Sequence, residues 1–469
     1  MRVVEIASVA GLLLCLLPIL LSDTAAGAAS FVGLTTLIVG CHAAFEGWRW
    51  QMVPTYVLIL VLIAYECAHS LLGYQAPSIA VVVAVVLGTL AAIVCCVAMP
   101  VFRLPMPAGS HAIGTETRQI IDERRRELFS NDPRALRELV IQIWYPAVPV
   151  KGRTSPYRDR RIATLKASHL RLVDTHSIPG AQPHPSPDRF PVLLYTPSWS
   201  GIRTECTIQI EEMASHGYVV VAIDHPYCSS VVAFPDGRIV RRNFEGDEDY
   251  SSDAAVARFI GAADEQVRLR AEDARFVLDT LERLNLCDPE GLLTGRLALD
   301  RVGIFGFSLG GGTAAQACLI DNRFKAGADM GGMIAGDVTA KEIPVPFLFM
   351  FESLYETAPF GPQSDTLGLR PEKRREIAFV RRQFAQMKHA LAKSGGYWMI
   401  IEGIRHRDFC DAPFFSPLRR VHVDSHVVSR AISKYLLAYF DRHVRGADEP
   451  LLDSCFEDAL VRFERLRGK

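Results

Sequence analysis

A serine within a glycine-rich motif could provide a nucleophile. Residues Val302–Gly312 read VGIFGFSLGGG, an apolar stretch that runs into G-x-S-x-G and then into alanine-rich helical sequence. A serine hydroxyl is a weak nucleophile, so it needs an exposed position, a base and donors for the oxyanion. A sharp strand–turn–helix elbow provides the exposure but leaves no space for side chains two residues before and after the serine. Gly306 and Gly310 meet that demand, so the motif predicts Ser308 as a nucleophile rather than a glycine-rich packing turn.

The base should be a histidine further along the chain, if the order is serine, acid, histidine. His389 lies in a highly charged helical pattern, which is typical of a surface. His422 and His426 flank the start of the last predicted helix, where solvated residues are favoured over a metal cluster without a third ligand. His406 follows the apolar strand Tyr397–Ile401 through a short loop. We therefore predict His406 as the base and no metal.

Two carboxylates could hold the histidine and stabilise its protonated form. Asp329 ends the predicted strand Ala326–Asp329, the first strand after the nucleophile helix. Glu352 follows the next predicted strand, Val345–Phe351. Position alone leaves both alternatives open.

The second oxyanion donor should come from the loop after an earlier strand. The strand Val192–Thr196 leads into the small-residue loop Pro-Ser-Trp-Ser-Gly. The backbone N–H groups of Trp199 and Leu309 could bracket the developing charge, and losing one such donor costs about 3–4 kcal/mol. The Trp199 ring could wall an acyl pocket or simply cover the end of the sheet.

Predicted strands and helices alternate along the part of the chain that must position these residues. Most predicted strands lack polar alternation, as expected of a parallel sheet covered by helices on both faces. The other predicted strands are Leu139–Trp144, Tyr218–Ile223 and Val302–Phe307. The predicted helices are Thr204–His216, Ala254–Leu284, Leu309–Leu319, Pro371–Lys393 and Ser425–Val444. The fold class is therefore α/β, and doubly wound. The run Arg158–Asp188, rich in Pro, His and Ser, is predicted to be a surface excursion near the site mouth.

An apolar segment precedes this domain. Of the 103 charged residues, six lie in the first hundred positions, and the mean hydropathy of the chain is +0.16. Each apolar run is close to the ~20 residues that a spanning helix needs. The runs are Val3–Leu21, Ala28–Phe45, Pro54–Leu72 and Ile79–Val97. We predict about four transmembrane helices in 1–102, a linker in 103–113 and a catalytic domain in 114–469.

The first run could instead be a signal peptide, with a cleavage site among the small residues Ala25–Ala29. Arg2, Arg49 and Arg103 fall on one side of the predicted spans, which places the catalytic domain in the cytoplasm. Glu66 and His69 share one face of a predicted span. A proton or metal relay is conceivable there, but a pair satisfied between packed helices is favoured.

Composition adds few further constraints. The net charge of −1 gives no indication of a nucleic-acid partner. The 11 cysteines include no C-x-x-C pair, which argues against a zinc site and against a disulfide framework. Their pattern favours a reducing compartment. The Arg124–Arg126 run is interpreted as a solvated face. No oligomeric state is predicted.

Several blocks together resemble the platelet-activating-factor acetylhydrolases of the plasma and intracellular type II kind. These blocks are LVIQIWYPA, FPVLLYTPSWSGIRT, ASHGYVVVAIDHPY, ADEQVRLRAEDARFVLDTLE, LDRVGIFGFSLGGGTAAQA and DNRFKAGADMGGM. The resemblance covers roughly Ile113–Tyr439. It implies an α/β-hydrolase fold and calcium-independent, cofactor-free hydrolysis of short or oxidised acyl esters on phospholipids.

The resemblance also implies roles for particular residues. It makes Ser308 the nucleophile, Asp329 the acid in preference to Glu352, and His406 the base, with Trp199 and Leu309 as oxyanion donors. The chain departs from the family pattern at Pro197-Ser198, where His-Gly is usual, and at Phe307, where His is usual. These differences change the shape of the pocket, so the acyl and head-group preferences of the family do not transfer to this chain. The predicted membrane segment is unusual for the family and likewise changes the expected substrate.

The leading hypothesis is a membrane-anchored serine esterase that acts on small-molecule or lipid esters. A dienelactone-type hydrolase or a peptidase on the same scaffold is the enzymatic alternative. A membrane sensor with a degenerate hydrolase domain is the non-enzymatic one.

Overall fold

The computed structural model describes residues 3–16, 25–73, 78–162, 165–356, 360–361, 366, 368–419, 423–453, 456–457 and 459–468. The chain divides into two compact units. The helical unit comprises Met1–Leu104, Pro156–Asp174 and Pro413–Val421; the sheet unit comprises Pro105–Ser155, Thr175–Ala412 and His422–Lys469. Two segments from within the predicted catalytic domain thus group with the helical unit.

The helical unit contains four apolar helices within the described residues. They are α1 (Val3–Leu14), α2 (Ala25–Cys41), α3 (Val53–Leu72) and α4 (Ser78–Ala98). Three stretches are long and apolar enough to span a membrane, namely Ala29–Gly47, Trp50–Leu71 and Ile79–Ala98. The fourth predicted span is only partly described: α1 has 12 residues, about 18 Å of helix, and positions 17–21 lie outside the described residues.

Polar side chains meet at one end of these helices. The guanidinium of Arg49 pairs with the Glu5 carboxylate, and both side chains are 1% exposed. The Glu46 carboxylate accepts the N–H groups of Val4 and Glu5, at 3.0 and 3.1 Å, at the positive end of α1. Because Arg49 forms an ion pair inside the unit, its positive charge is a weaker indicator of how the predicted spans are oriented in a membrane.

The sheet unit is built on a mixed, mostly parallel sheet. Its described strands are β1 Ala112–Arg126, β2 Leu136–Ala147, β3 Ser177–Pro179, β4 Phe190–Thr196, β5 Val219–Asp224, β8 Leu297–Phe307, β9 Phe324–Met330, β10 Phe347–Glu352, β11 Gly396–Ile401, β12 Phe456–Glu457 and β13 Val461–Leu466. They follow the spatial order β12-β13-β11-β10-β9-β8-β4-β5-β2-β1-β3. The strands from β11 to β5 in this order run parallel, and β2, β1 and β13 add antiparallel pairs at the two sides. A separate hairpin pairs β6 (Val231–Ala233) with β7 (Ile239–Arg241).

Helices follow the parallel strands as crossovers, as a parallel sheet requires. They are α5 (Thr207–Ser215), α6 (Asp253–Leu286), α7 (Leu309–Ile320), α8 (Pro371–Ala390) and α9 (Ser425–Phe440). The main core contains buried side chains of the central strands together with those of α6, α7 and α8. The predicted α/β class with flanking helices is confirmed, and each predicted strand and helix is present with ends shifted by a few residues.

Sequence analysis missed the first strand of the sheet. β1 pairs along nearly its whole length with β2. Its sequence is mostly polar, with few apolar residues, as is typical of an outer strand with one solvated face. The basic run at its end is not simply solvated, because Arg125 bonds to Asp122 at 2.5 Å and to the buried Asp273 at 2.9 Å.

The predicted linker is attached to the sheet unit. The Ala108 N–H donates to Glu212 at 2.9 Å, and the His111 N–H donates to the Ser215 carbonyl at 3.0 Å. The run 158–188, predicted near the site mouth, does not stay together, since Pro156–Asp174 groups with the helical unit.

Candidate active site

Ser308 occupies a sharp elbow between β8 and α7. Its φ of 57° and ψ of −127° lie in a region that side-chain-bearing residues rarely adopt. A Cβ atom on Gly306 would overlap the backbone of Gly310, and one on Gly310 would overlap the carbonyl of Thr196. Only glycine fits at both positions, as the sequence motif predicts. The Ser308 N–H is held by the Met330 carbonyl at 3.0 Å.

His406 reaches the serine from the loop after β11. Its Nε2 lies 3.0 Å from the Ser308 Oγ, a hydrogen-bond distance. The loop is stabilised by a short helical turn, 406–409, at whose start the Arg405 N–H donates to Asp408 at 2.7 Å. The Phe307 ring packs against the imidazole, with ring centroids 5.0 Å apart. The phenyl ring at this position therefore supports the histidine directly.

The environment of His406 favours its neutral form. Partial desolvation lowers the pKa of the imidazole, and the charge of Arg407 adds to the effect. About 41% of the side-chain surface stays accessible, so the ring can still exchange protons with a substrate or water. A neutral imidazole at pH 7 can accept the serine proton.

The two candidate acids have different surroundings. The Oε1 atom of Glu352, at the end of β10, is 3.9 Å from His406 Nδ1, longer than a hydrogen bond. Asp329, near the end of β9, is fully buried, and its carboxylate lies against Gly311 and Gly332. No side chain among the described residues donates a hydrogen bond to either Asp329 oxygen. The structure thus brings Ser308 and His406 together but forms no acid–histidine hydrogen bond.

Both carboxyl groups have raised pKa values. Burial raises the pKa of Asp329 well above its usual range; the Gly332 N–H opposes this, and the nearby Glu352 adds to it. Burial raises the pKa of Glu352 to about 7. Two neighbouring buried carboxyls disfavour ionisation of both at once. A positive charge that forms on the imidazole during reaction would favour ionisation of whichever carboxyl contacts it.

The predicted oxyanion donors lie beside the serine. Trp199, Leu309, Ser308 and His406 all line one cavity. Within the part of the chain that the structure describes, no protein acceptor takes the Trp199 or Leu309 backbone N–H, so both can donate to a substrate oxygen. The Trp199 indole donates to the Gly246 carbonyl at 3.2 Å, and its ring lies 5.5 Å from that of Phe259. Of the two roles considered for this ring, the structure supports the pocket wall.

The cavity has a volume of about 480 Å³, within the range of small-molecule sites. Its lining includes many aromatic side chains and two exposed acidic ones. The aromatic residues are Trp199, Tyr250, Phe259, Phe351, Tyr355, Phe379 and Phe384, and the acidic ones are Asp247 and Glu248.

Sequence reasoning missed the residues that hold the loops of the site in place through hydrogen bonds. The Asp411 carboxylate accepts the Thr207 N–H at 2.7 Å at the start of α5, and the Asp411 N–H donates to the Glu205 carbonyl at 2.9 Å. Arg270 of α6 donates to carbonyls of the oxyanion loop. The signal for Arg270 was its place on the apolar face of α6, in helical register with Ala263, where a charge needs a specific partner.

The sheet topology, the strained elbow and the adjoining histidine define an α/β-hydrolase. The sequence profile of the platelet-activating factor acetylhydrolase isoform II family matches residues 102–445. The chain belongs to this family.

Individual relatives agree with that membership. A protein from Arthroderma benhamiae named "Probable 1-alkyl-2-acetylglycerophosphocholine esterase" is 25% identical over 53% of this chain and 64% of its own length. A Bos taurus platelet-activating factor acetylhydrolase is 22% identical over 55% of this chain and 58% of its own length. The chain thus spans about three-fifths of these curated relatives. A ferulic acid esterase structure from Streptomyces cinnamoneus superposes with a TM-score of 0.60 and 27% identity, covering 77% of this chain and 99% of that one.

Proposed function

We propose that the protein is a serine esterase that forms an acyl-enzyme on Ser308. The observation that carries the proposal is the 3.0 Å contact between His406 Nε2 and Ser308 Oγ at the strained elbow. A nucleophile hydrogen-bonded to a neutral base is the arrangement that covalent ester hydrolysis needs. The family membership and the esterase names of the relatives support the same reaction class.

The reaction proceeds in two steps. His406 takes the proton from Ser308 as Oγ attacks the ester carbonyl, and the imidazolium then protonates the leaving alcohol. The carbonyl oxygen becomes negative in the tetrahedral intermediate, where the N–H groups of Trp199 and Leu309 stabilise it. Water, deprotonated by His406, then attacks the acyl-enzyme. The bond between the acyl carbon and Oγ breaks, the imidazolium returns its proton to Ser308, and the acid is released. Asp329 is proposed as the acid, on the family resemblance, with Glu352 as the competing candidate on proximity.

The proposed substrates are esters with short acyl groups, including those at the sn-2 position of phospholipids. The names of the relatives support this class. Aromatic acyl esters are a second candidate, because the cavity is lined with aromatic rings and a similar structure is that of a ferulic acid esterase.

A substrate panel separates these classes. We expect the purified protein to hydrolyse p-nitrophenyl acetate and a 2-acetyl phospholipid with larger kcat/KM values than a 2-palmitoyl phospholipid. Methyl ferulate and a peptide amide complete the panel. A larger kcat/KM for methyl ferulate would assign the aromatic class instead, and hydrolysis of the peptide alone would overturn the esterase proposal.

The proposal includes anchoring of the enzyme in a membrane by its apolar helices, with the catalytic domain in the cytoplasm. Three of these helices are long enough to span. Anchoring would hold the site close to lipid esters, which suits a lipid substrate.

Labelling of cells with a charged, membrane-impermeant fluorophosphonate tests the anchoring and the orientation together. We expect labelled protein in the membrane fraction, resistant to carbonate extraction, and only after the cells are permeabilised. Labelling of intact cells would place the domain on the outer side. Recovery of the labelled protein in the soluble fraction would contradict anchoring.

A further inference from the structure

The loop that carries the Trp199 N–H is fixed from one side by a buried arginine. Arg270, in the middle of α6, is completely buried. Its Nη1 donates to the carbonyls of Pro197 and Ser198, both at 2.9 Å, and its Nη2 donates to the carbonyl of Trp199 at 2.5 Å. One guanidinium therefore bonds to three consecutive carbonyl oxygens of the oxyanion loop.

A carboxylate fixes the same loop through its other polar groups. Glu205 accepts the Ser198 N–H at 2.5 Å and the Ser198 hydroxyl at 2.9 Å, and the Tyr195 hydroxyl donates to it at 3.2 Å. The peptide group between Pro197 and Ser198 is thus held at both ends, by Arg270 and by Glu205.

The next peptide group, between Ser198 and Trp199, contains the proposed oxyanion donor. In a planar trans peptide the C=O and the N–H point in opposite directions. Because Arg270 holds the Ser198 carbonyl, the Trp199 N–H is turned away from the arginine and is left without a protein acceptor among the described residues. A hydrogen bond to the carbonyl also polarises the N–H of the same peptide.

The arginine has a charge that no acid neutralises directly. Among the described residues, its guanidinium forms no ion pair within 4.0 Å, although the charges of Glu205 and Asp273 act on it from further away. A buried cation is costly unless its donors are satisfied. The loop carbonyls satisfy Nη1 and Nη2, and Nε has no hydrogen-bond partner among the described residues. The loop and the arginine thus stabilise each other.

We propose that Arg270 is a positioning residue of the oxyanion hole: it fixes and polarises the Ser198–Trp199 peptide so that the Trp199 N–H binds the developing oxyanion. This inference rests on the proposed function of the site. Loss of the guanidinium should let the peptide rotate and should weaken binding of the transition state more than binding of the ester.

The test compares Arg270→Met and Arg270→Lys with Arg268→Met. Arg268 lies two residues away on the same helix, is half exposed, and among the described residues bonds to Asp337 alone, so it controls for loss of a helical arginine. Active sites are titrated with a fluorophosphonate, and kcat is expressed per titrated site. We expect Arg270→Met to lower kcat about 10²–10³-fold, with KM changed less than threefold. Affinity for a trifluoromethyl ketone, which binds as an oxyanion, should fall by a similar factor.

The lysine variant keeps the proposal testable if the methionine variant does not fold. Lysine retains the charge but not the planar fork that spans several carbonyls, so we expect a folded protein with kcat lowered about tenfold or more. Added guanidinium ion should partly restore the activity of folded Arg270→Met. The proposal is overturned if either folded variant matches Arg268→Met in kcat per site and in ketone affinity. If the wild-type protein itself shows no turnover that depends on Ser308, the proposed function fails instead.

Discussion

Replacement of Ser308 by alanine is expected to lower kcat for p-nitrophenyl acetate by about 10⁴-fold or more. Removal of the nucleophile takes away the acyl-enzyme route and leaves only the oxyanion donors and substrate binding, which retain a small residual rate. The same variant should lose all labelling by a fluorophosphonate. Its fold should persist, because alanine removes only a hydroxyl that lines the cavity.

The matched control is Ser130→Ala, in the loop between β1 and β2, where the hydroxyl accepts the Asp132 N–H at 3.1 Å. It should keep wild-type turnover and labelling. Ser308→Ala protein that is folded, by circular dichroism, and still turns over at the wild-type rate would show that the nucleophile is another residue.

The second large effect concerns the acid. We expect Asp329→Asn to lower kcat by about 10⁴-fold, since an amide in place of the orienting carboxylate leaves the imidazole without charge compensation and favours the wrong tautomer. Glu352→Gln should lower kcat less than tenfold. Both substitutions preserve side-chain shape and replace a buried carboxyl group with an amide, so each controls for the other.

The opposite order would assign the acid to Glu352, whose Oε1 is already 3.9 Å from His406 Nδ1. Large losses in both variants would mean that the two carboxyls act as a coupled pair, and the single-acid assignment would be wrong. Steady-state kinetics, with concentrations corrected by active-site titration, distinguish these outcomes.

The parts of the site that depend on local backbone geometry could be predicted from the sequence. The elbow at Ser308 requires glycine at fixed positions, so its signal is a short motif. His406 could be found because an apolar strand and a short loop precede it. The parallel strands could be predicted equally well, because their continuous apolar runs are distinctive.

The acid and the supporting residues depend on contacts between distant segments, which no local pattern encodes. Asp329 and Glu352 each end a strand, so no local pattern distinguishes which of them serves the imidazole. Arg270 is separated from Ser198 by 72 positions, and β1 was missed because an outer strand carries charges on its exposed face. Four spans were predicted, and the described residues contain three helices of sufficient length.

Asp411 has a consequence for attempts to exchange parts between relatives. Its carboxylate bonds to the start of α5 across 204 positions of sequence, while its N–H bonds to Glu205. The histidine loop and the segment that follows β4 therefore share one anchoring point. A chimera that imports either piece alone would pair it with a foreign counterpart, whereas transplanting both together would preserve the junction.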